Sequence, residues 1–438
     1  MGSRRAVSGA LALAWLGFVT MGFNTTRLGG LAVSDLFFLC CGGVIVARLL
    51  MGRTGDLADA AMRRTSPLIL FGSVLLLTMG TVSSFNSWDG MGSVQVVVRL
   101  GWLTLAWFWI LRAVCRDRFA LARIVGGWRI GVLITAGVGV AGDLGLLHVG
   151  VANAEGRQTA FFAQPNEFAA MLAIALPLFV LDAPGPDADL QGSRRTTLRF
   201  GFIAFIVWGI ASSGSMTGTI SAALGSATTL LVLALTKGRI SARGRRNPLA
   251  PFIAVVAVVA GIFVLSTSDL PVVERFTRLE SGDSYIQSSV QTREDRNSEA
   301  IQKLPNTIVS GTGLQLQGDA ATRVGASSHG TDPDAVIAIH NMYLKVAHEA
   351  GVPALIGLLM MLLTAYRQAW RLAVNTRGTP LHRLSAGFLG ALAAASCQAM
   401  FHPIVYQRYF WVTIAMITCL WSVRRGELRA AAHAAATA

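Results

Sequence analysis

The chain has 438 residues, of which 53% are hydrophobic and 14% charged, and its mean hydropathy is +0.55. A soluble domain carries roughly 25% charged residues, so this composition excludes one and places most of the chain in lipid. The net charge of +14 could suggest nucleic acid, but the arginines recur in every second connection, which is the positive-inside pattern of a membrane protein and excludes a nucleic-acid partner.

Crossing ~30 Å of hydrocarbon takes ~20 helical residues. Apolar runs of about this size fall at 6–23, 31–50, 67–85, 94–115, 130–148, 167–182, 199–213, 217–236, 251–267, 352–366, 384–400 and 408–423. Twelve transmembrane spans are expected. The first follows Arg4 and Arg5 in the manner of a signal peptide, but no small-residue cleavage site follows it and another span comes at once, so it reads as retained. Basic clusters such as Arg63 and Arg64, Arg116 and Arg118, Arg245 and Arg246, and Arg424 and Arg425 mark alternate connections as cytoplasmic. An even number of spans then returns both termini to the cytoplasm. Cys40, Cys41, Cys115, Cys397 and Cys419 all lie in or at the ends of apolar runs and read as small hydrophobes, not as a disulfide frame or metal site. Asp35 and Asp143, at or within spans, read as structural hydrogen-bond partners, and Arg99, near the end of the fourth span, as a side chain reaching for the interface.

The fold expected is an all-α membrane protein in three parts: residues 1–267 with spans one to nine, an extracytoplasmic loop over 268–341, and residues 342–438 with spans ten to twelve and a cytoplasmic tail. Most outward connections are short, FHPIVYQ at 401–407 among them. The 268–341 loop is too small for a domain and far longer than a connector requires. It holds six basic and ten acidic residues, and loops of this kind carry function. Within it, TREDRNSEAIQKL at 292–304 is helix-permissive, closed by Pro305, Gly311 and Gly313. At its end stands HNMYLKVAHEAGVPA, 340–354: Asn341 is a natural N-cap, 342–350 a short helix, Gly351 its C′ residue and Pro353 the first turn of the next span. His340 and Asn341 thus stand at a helix N-terminus, where free N–H groups and the helix dipole favour an anion.

Three motifs, in this order, resemble the O-antigen ligase and polymerase family: FFAQPNEFAAML at 161–172, Arg293 followed by Gly311 and Gly313, and His340-Asn341 with Tyr343-Leu344, Glu349 and Gly351. Together with twelve spans they cover roughly the last two thirds of the chain. The resemblance implies a metal-independent, inverting glycosyltransferase that moves a glycan from a polyprenyl-diphosphate carrier to an acceptor hydroxyl on a glycan, lipid or protein, outside the cytoplasmic membrane and without a cofactor. One position departs from the family, which commonly has Ser-Arg at the turn before the eighth span where this chain has Ser215-Met216.

Such a transfer needs a base for the acceptor proton and cations for the departing diphosphate. His340 is the candidate base, an imidazole able to accept a proton at neutral pH; the alternative is a histidine that merely caps the helix. Arg293 is the first candidate for the diphosphate, because a guanidinium makes bidentate bonds to phosphate; the alternative is a loop arginine paired with Glu294 or Asp295. Arg296, one turn on, could supply the cation Met216 does not, with Arg157, Arg275 and Arg278 as rivals. Asn166, Asn341, Ser215, His348 and Glu349 complete the substrate-binding candidates. Asp332-Pro333-Asp334 has the look of a metal-binding pair, but its proline indicates a turn and no metal is expected. A transporter is the main non-enzyme alternative, and it predicts an internal repeat that the sequence lacks. A polytopic acyltransferase is a second enzyme reading, and it predicts an inward-facing donor site. Ligase and polymerase share the motifs.

Overall fold

The computed structural model describes residues 2–23, 27–28, 31–51, 66–87, 89–147, 156–180, 192–236, 284–314, 339–377 and 379–437. Among them the protein is helical apart from one two-residue antiparallel ladder, Arg27–Leu28 with Leu31–Ala32. The helices are α1 (Gly2–Val19), α2 (Val33–Leu50), α3 (Pro67–Ser84), α4 (Gly90–Gly101), α5 (Trp107–Val114), α6 (Arg118–Asp143), α7 (Pro165–Val180), α8 (Gly192–Ser212), α9 (Met216–Thr236), α10 (Ser284–Thr307), α11 (Met342–Ala350), α12 (Val352–Asn375), α13 (Pro380–Phe401) and α14 (Arg408–Thr437). A single π turn, Trp102–Ala106, joins α4 to α5.

Seven helices among the described residues are long and apolar enough to cross a membrane, α4 with α5 counting as one, and Gly9–Gly22, Pro165–Val180 and Thr197–Ser212 are shorter apolar helices. The chain is a multi-pass membrane protein. The expected ninth span, 251–267, lies outside the described residues. α6 starts at Arg118, not near 130 as hydropathy suggests, because Asp117 caps it by accepting from the Ala120 N–H at 2.8 Å. Its early arginines have partners: Arg118 binds Glu427, Arg123 lies over the Phe119 ring and Arg129 donates to the Leu178 carbonyl. Those charges depress the hydropathy of a stretch that is nonetheless helical. α10 runs through Pro305 and ends at Thr307, one turn beyond the stop read from the sequence.

α7 is the hub. Every residue from Phe168 to Val180 is buried, as expected of a helix that is apolar all round, and α8, α9 and α13 pack around it. Small residues set the closest crossings, as is usual between membrane helices. A Cβ on Gly72 of α3 would lie 2.5 Å from the Gly357 carbonyl oxygen of α12, and one on Gly225 of α9 would lie 2.8 Å from the Gly390 oxygen of α13.

Candidate active site

α11 is a nine-residue helix inserted between α10 and the long α12, and its start is fixed by Asn341. The Asn341 Oδ1 accepts from the backbone N–H groups of Tyr343 at 2.9 Å and Leu344 at 3.1 Å, satisfying two donors a helix start leaves open. Gly351 follows with φ +87 and begins α12. The segment after α10 stitches to the far end of α11: the Thr312 N–H donates to the His348 carbonyl at 3.1 Å, Gly313 to Glu349 at 2.9 Å, and Val352 to the Ile308 carbonyl at 2.8 Å. Gly311 has φ +64, and a Cβ there would lie 2.8 Å from the Ala350 nitrogen and closer still to the Glu349 carbonyl. This is the physical reason for a glycine at the first position of the Gly-x-Gly element.

α10 lies against α11. On α10, Arg293, Arg296, Asn297, Ala300, Leu304 and Thr307 are shielded, with the three- and four-residue spacing of one helix face, and Glu299 beside them is partly shielded too. Buried Ala300 packs with Ile339, the residue before His340. Arg293, two turns earlier on the same face, interacts electrostatically with His340 and His402. Arg296 pairs with Glu299 at 3.2 Å, and Gln291 donates to Asp295 at 2.8 Å.

His340 is half-buried. Burial, then the Arg293 guanidinium and the Lys345 ammonium, push its imidazole down to about 4. It is therefore a neutral acceptor at physiological pH. His402 is pushed down to about 3 by burial, His340 and Arg293. The two adjacent candidates His348 and Glu349 face different partners. The His348 Nδ1 lies 3.4 Å from the Thr312 hydroxyl while its Nε2 has no hydrogen-bond partner among the described residues. The Glu349 carboxylate is bound by the Lys345 ammonium and accepts from the Tyr406 hydroxyl at 3.1 Å.

The second wall is the connection between α13 and α14, residues 402–407. Its Tyr406 carbonyl accepts from Arg99 at 3.1 Å and Gln407 donates to Glu167 of α7. At the first residue of α14, Arg408 binds Asp35 through its Nε at 3.0 Å and through its Nη2, while Trp102 donates to the same carboxylate at 3.2 Å. Next to Glu167, Asn166 accepts from Arg157 at 3.0 Å. Arg157, 7% exposed, also donates its Nε to the Ser213 carbonyl at 2.8 Å, in the turn that leads through Ser215 to Met216. The Ser215 hydroxyl accepts from Gly218 N–H at 3.2 Å and so serves the start of α9.

The structure thus gathers His340, Arg293, Asn341, His348 and Glu349 around α11, and Arg157, Asn166 and Ser215 around the α8–α9 turn, the two groups linked through residues 402–408. Arg275, Arg278, Asp332 and Asp334 lie outside the described residues. Sequence reasoning passed over Lys345, His402, Tyr406, Gln407 and Arg408. A signal was available, since four polar side chains in the seven residues of HPIVYQR between two apolar spans exceed what a plain connection needs.

Residues 201–359 match the family model described as O-antigen ligase. That stretch contains His340, Arg293, Arg296, Ser215, Asn341, His348 and Glu349, with Arg157 and Asn166 ahead of it. No curated protein matches the chain.

Proposed function

The chain belongs to the O-antigen ligase family through the domain at residues 201–359, and from that premise we propose that it transfers a glycan from a polyprenyl-diphosphate carrier to an acceptor hydroxyl at the outer face of the cytoplasmic membrane. The observation that carries this reading is His340: an imidazole kept neutral at a helix N-terminus, with an arginine of the facing helix beside it. His340 takes the proton of the acceptor hydroxyl as the acceptor oxygen bonds to the anomeric carbon. The bond from that carbon to the diphosphate oxygen breaks, its electron pair leaves with the diphosphate, and the anomeric configuration inverts. Arg293 and the positive end of α11 meet the charge that builds on the leaving group.

Arg157 is the second cation in this reading. It is anchored to the carbonyl of Ser213, in the turn where the family's Ser-Arg arginine is replaced by Met216. Arg296 is engaged by Glu299 and is the weaker candidate, and His348, with an open Nε2, is the residue proposed to meet the acceptor. Glu349, closed in by Lys345 and Tyr406, holds α11 in place.

The deciding experiment is turnover by the purified protein in nanodiscs with a polyprenyl-diphosphate-linked glycan and a hydroxyl acceptor. Transfer that needs His340 supports the reading, and wild-type transfer by His340→Ala sinks it. The orientation is tested by cysteines placed at Ser281 and Ser327. They should react with a membrane-impermeant maleimide in whole cells, and labelling only after lysis would place the loop in the cytoplasm.

A further inference from the structure

α10 has three sectors. One is shielded and holds Arg293, Ala300 and Leu304; a second is exposed and polar and holds Gln302, Lys303 and Asn306. The third is exposed and apolar, and it occupies only the end of the helix. Ile301, 58% exposed, and Pro305 stand one above the other, four residues apart; Ile308, 49% exposed, continues their line in the turn that follows, with Val309, 62% exposed, beside it. Farther up, the same side of the helix reads Glu294 and Ser298. The apolar stripe therefore belongs to the last two turns alone.

The height of that stripe is fixed by the membrane spans. The Val352 N–H donates to the Ile308 carbonyl at 2.8 Å, and a Cβ on Gly351 would run into the Val309 carbonyl, so residues 308 and 309 lie level with the first residue of α12. Only residues 352–366 separate Gly351 from Arg367, a rise of about 22 Å against ~30 Å of hydrocarbon. Val352 accordingly stands at the hydrocarbon boundary. On the other side, the Asn86 Nδ2 donates to the Gly311 carbonyl at 3.2 Å, from the connection after α3 in which Phe85 is exposed. Exposed apolar side chains at the level of two span ends are continuous with the lipid-facing surface of the spans, to which exposed Ile356 of α12 belongs.

We infer that the last two turns of α10, through Ile301, Pro305, Ile308 and Val309, are embedded in the lipid leaflet beside the candidate site, and that this anchor holds Arg293 at the depth of the lipid headgroups. The partner is the bilayer itself, which takes up the apolar side of an interfacial helix to ~5–10 Å. Because Glu294 interrupts the stripe, α10 rises out of the lipid toward its start. Arg293 lies eight residues before Ile301, at most about 12 Å along the axis, so its guanidinium meets the layer in which a phosphate carried by a membrane lipid stands. This second part rests on the reading of Arg293 as a diphosphate ligand; the anchor does not.

The test is a nitroxide depth measurement on the full-length protein in phospholipid nanodiscs. p-Acetylphenylalanine is placed singly at Ile301, Ile308, Glu294 and Lys303 and coupled to the nitroxide, which leaves the five native cysteines in place. Labels at 301 and 308 should collide several-fold more often with oxygen, which partitions into lipid, than with a water-soluble nickel chelate, and labels at 294 and 303 should show the reverse. Nickel collisions at 301 and 308 equal to those at 303 overturn the inference. Protection of 301 and 308 from both reagents overturns it too, since protein and not lipid would then cover the stripe. For the second part, Ile301→Asn with Ile308→Asn should raise the KM for a polyprenyl-diphosphate donor in nanodiscs several-fold while thermal stability is kept, because both side chains are exposed. An unchanged KM alongside the expected collision pattern overturns the link to Arg293. If the wild type transfers no glycan, the proposed function and that link fall together, while the collision pattern still decides the anchor.

Discussion

Replacing Gly311 by alanine tests whether the stitch between the end of α10 and the end of α11 holds the site together. Two costs add at this position. The left-handed backbone, φ +64, costs about 1–2 kcal/mol for a residue with a Cβ. The Cβ would also lie 2.5 Å from the Glu349 carbonyl carbon and 2.8 Å from the Ala350 nitrogen, backbone atoms that no side-chain rotation can move away, and forced overpacking adds about 1–3 kcal/mol. Gly145 supplies the control, since its φ is +69 and nothing lies within 4 Å of a Cβ built there. Gly145→Ala should therefore lose only the conformational part, and Gly311→Ala about 2–5 kcal/mol in total. Equilibrium unfolding of both variants in the same detergent gives the difference, and transfer activity should fall further in Gly311→Ala because the Thr312 and Gly313 hydrogen bonds to α11 are displaced. If Gly311→Ala is no less stable than Gly145→Ala, the close approach does not constrain α11 and the reasoning is refuted.

His340→Ala should lower turnover by the 10²–10⁴ typical of a lost general base while donor binding persists. Arg293→Ala should weaken both, and lysine there should restore only part, having the charge without the fork; donor affinity and single-turnover rate separate the cases. Stability should fall with pH. The imidazoles of His340 and His402 are held at about 4 and about 3 against about 6.5 in an unfolded chain, so between pH 6.5 and 4 the unfolded chain binds more protons and unfolding becomes easier as pH drops. Thermal melts of wild type and His402→Asn across that window should show a shallower decline for the variant; parallel curves would mean His402 is not held neutral. Arg408→Gln strands the Asp35 carboxylate at 5% exposure and should cost about 3–5 kcal/mol. Adding Asp35→Asn should recover much of it, and no recovery would mean that the pair does not act as a unit.

Seven of the twelve expected spans, the cap and the glycines were legible in the sequence because each is a local device: an apolar run long enough for the bilayer, an asparagine ahead of a short helix, a glycine where backbone closes on backbone. Asn341, Gly351 and Pro353 stand in the roles their types imply. The start of α6 was not legible, because Arg118 and Arg129 are matched by Glu427 and the Leu178 carbonyl, partners far along the chain. For the same reason the weight of residues 402–408 was hidden. Tyr406 meets Glu349 across 57 positions, Gln407 meets Glu167 across 240 and Arg408 meets Asp35 across 373, separations at which no periodicity speaks. Lys345 was overlooked because a lysine one turn into a polar-looking helix reads as solvated, and its burial against Glu349 and the Tyr406 ring appears only in the fold.

Those separations also impose an order in time. A chain is made from its N-terminal end, so Asp35, Arg99, Glu167, Lys345 and Glu349 are all made before residues 402–408 exist. Until the last helix is threaded, the carboxylates of Asp35 and Glu349 lack Arg408 and Tyr406, and His340 has only one of its two walls. The proposed base, its arginine and its cap are synthesised early, but the end of the bundle that encloses them closes with α14. A ribosome that stops short therefore leaves a protein with every motif and no assembled site.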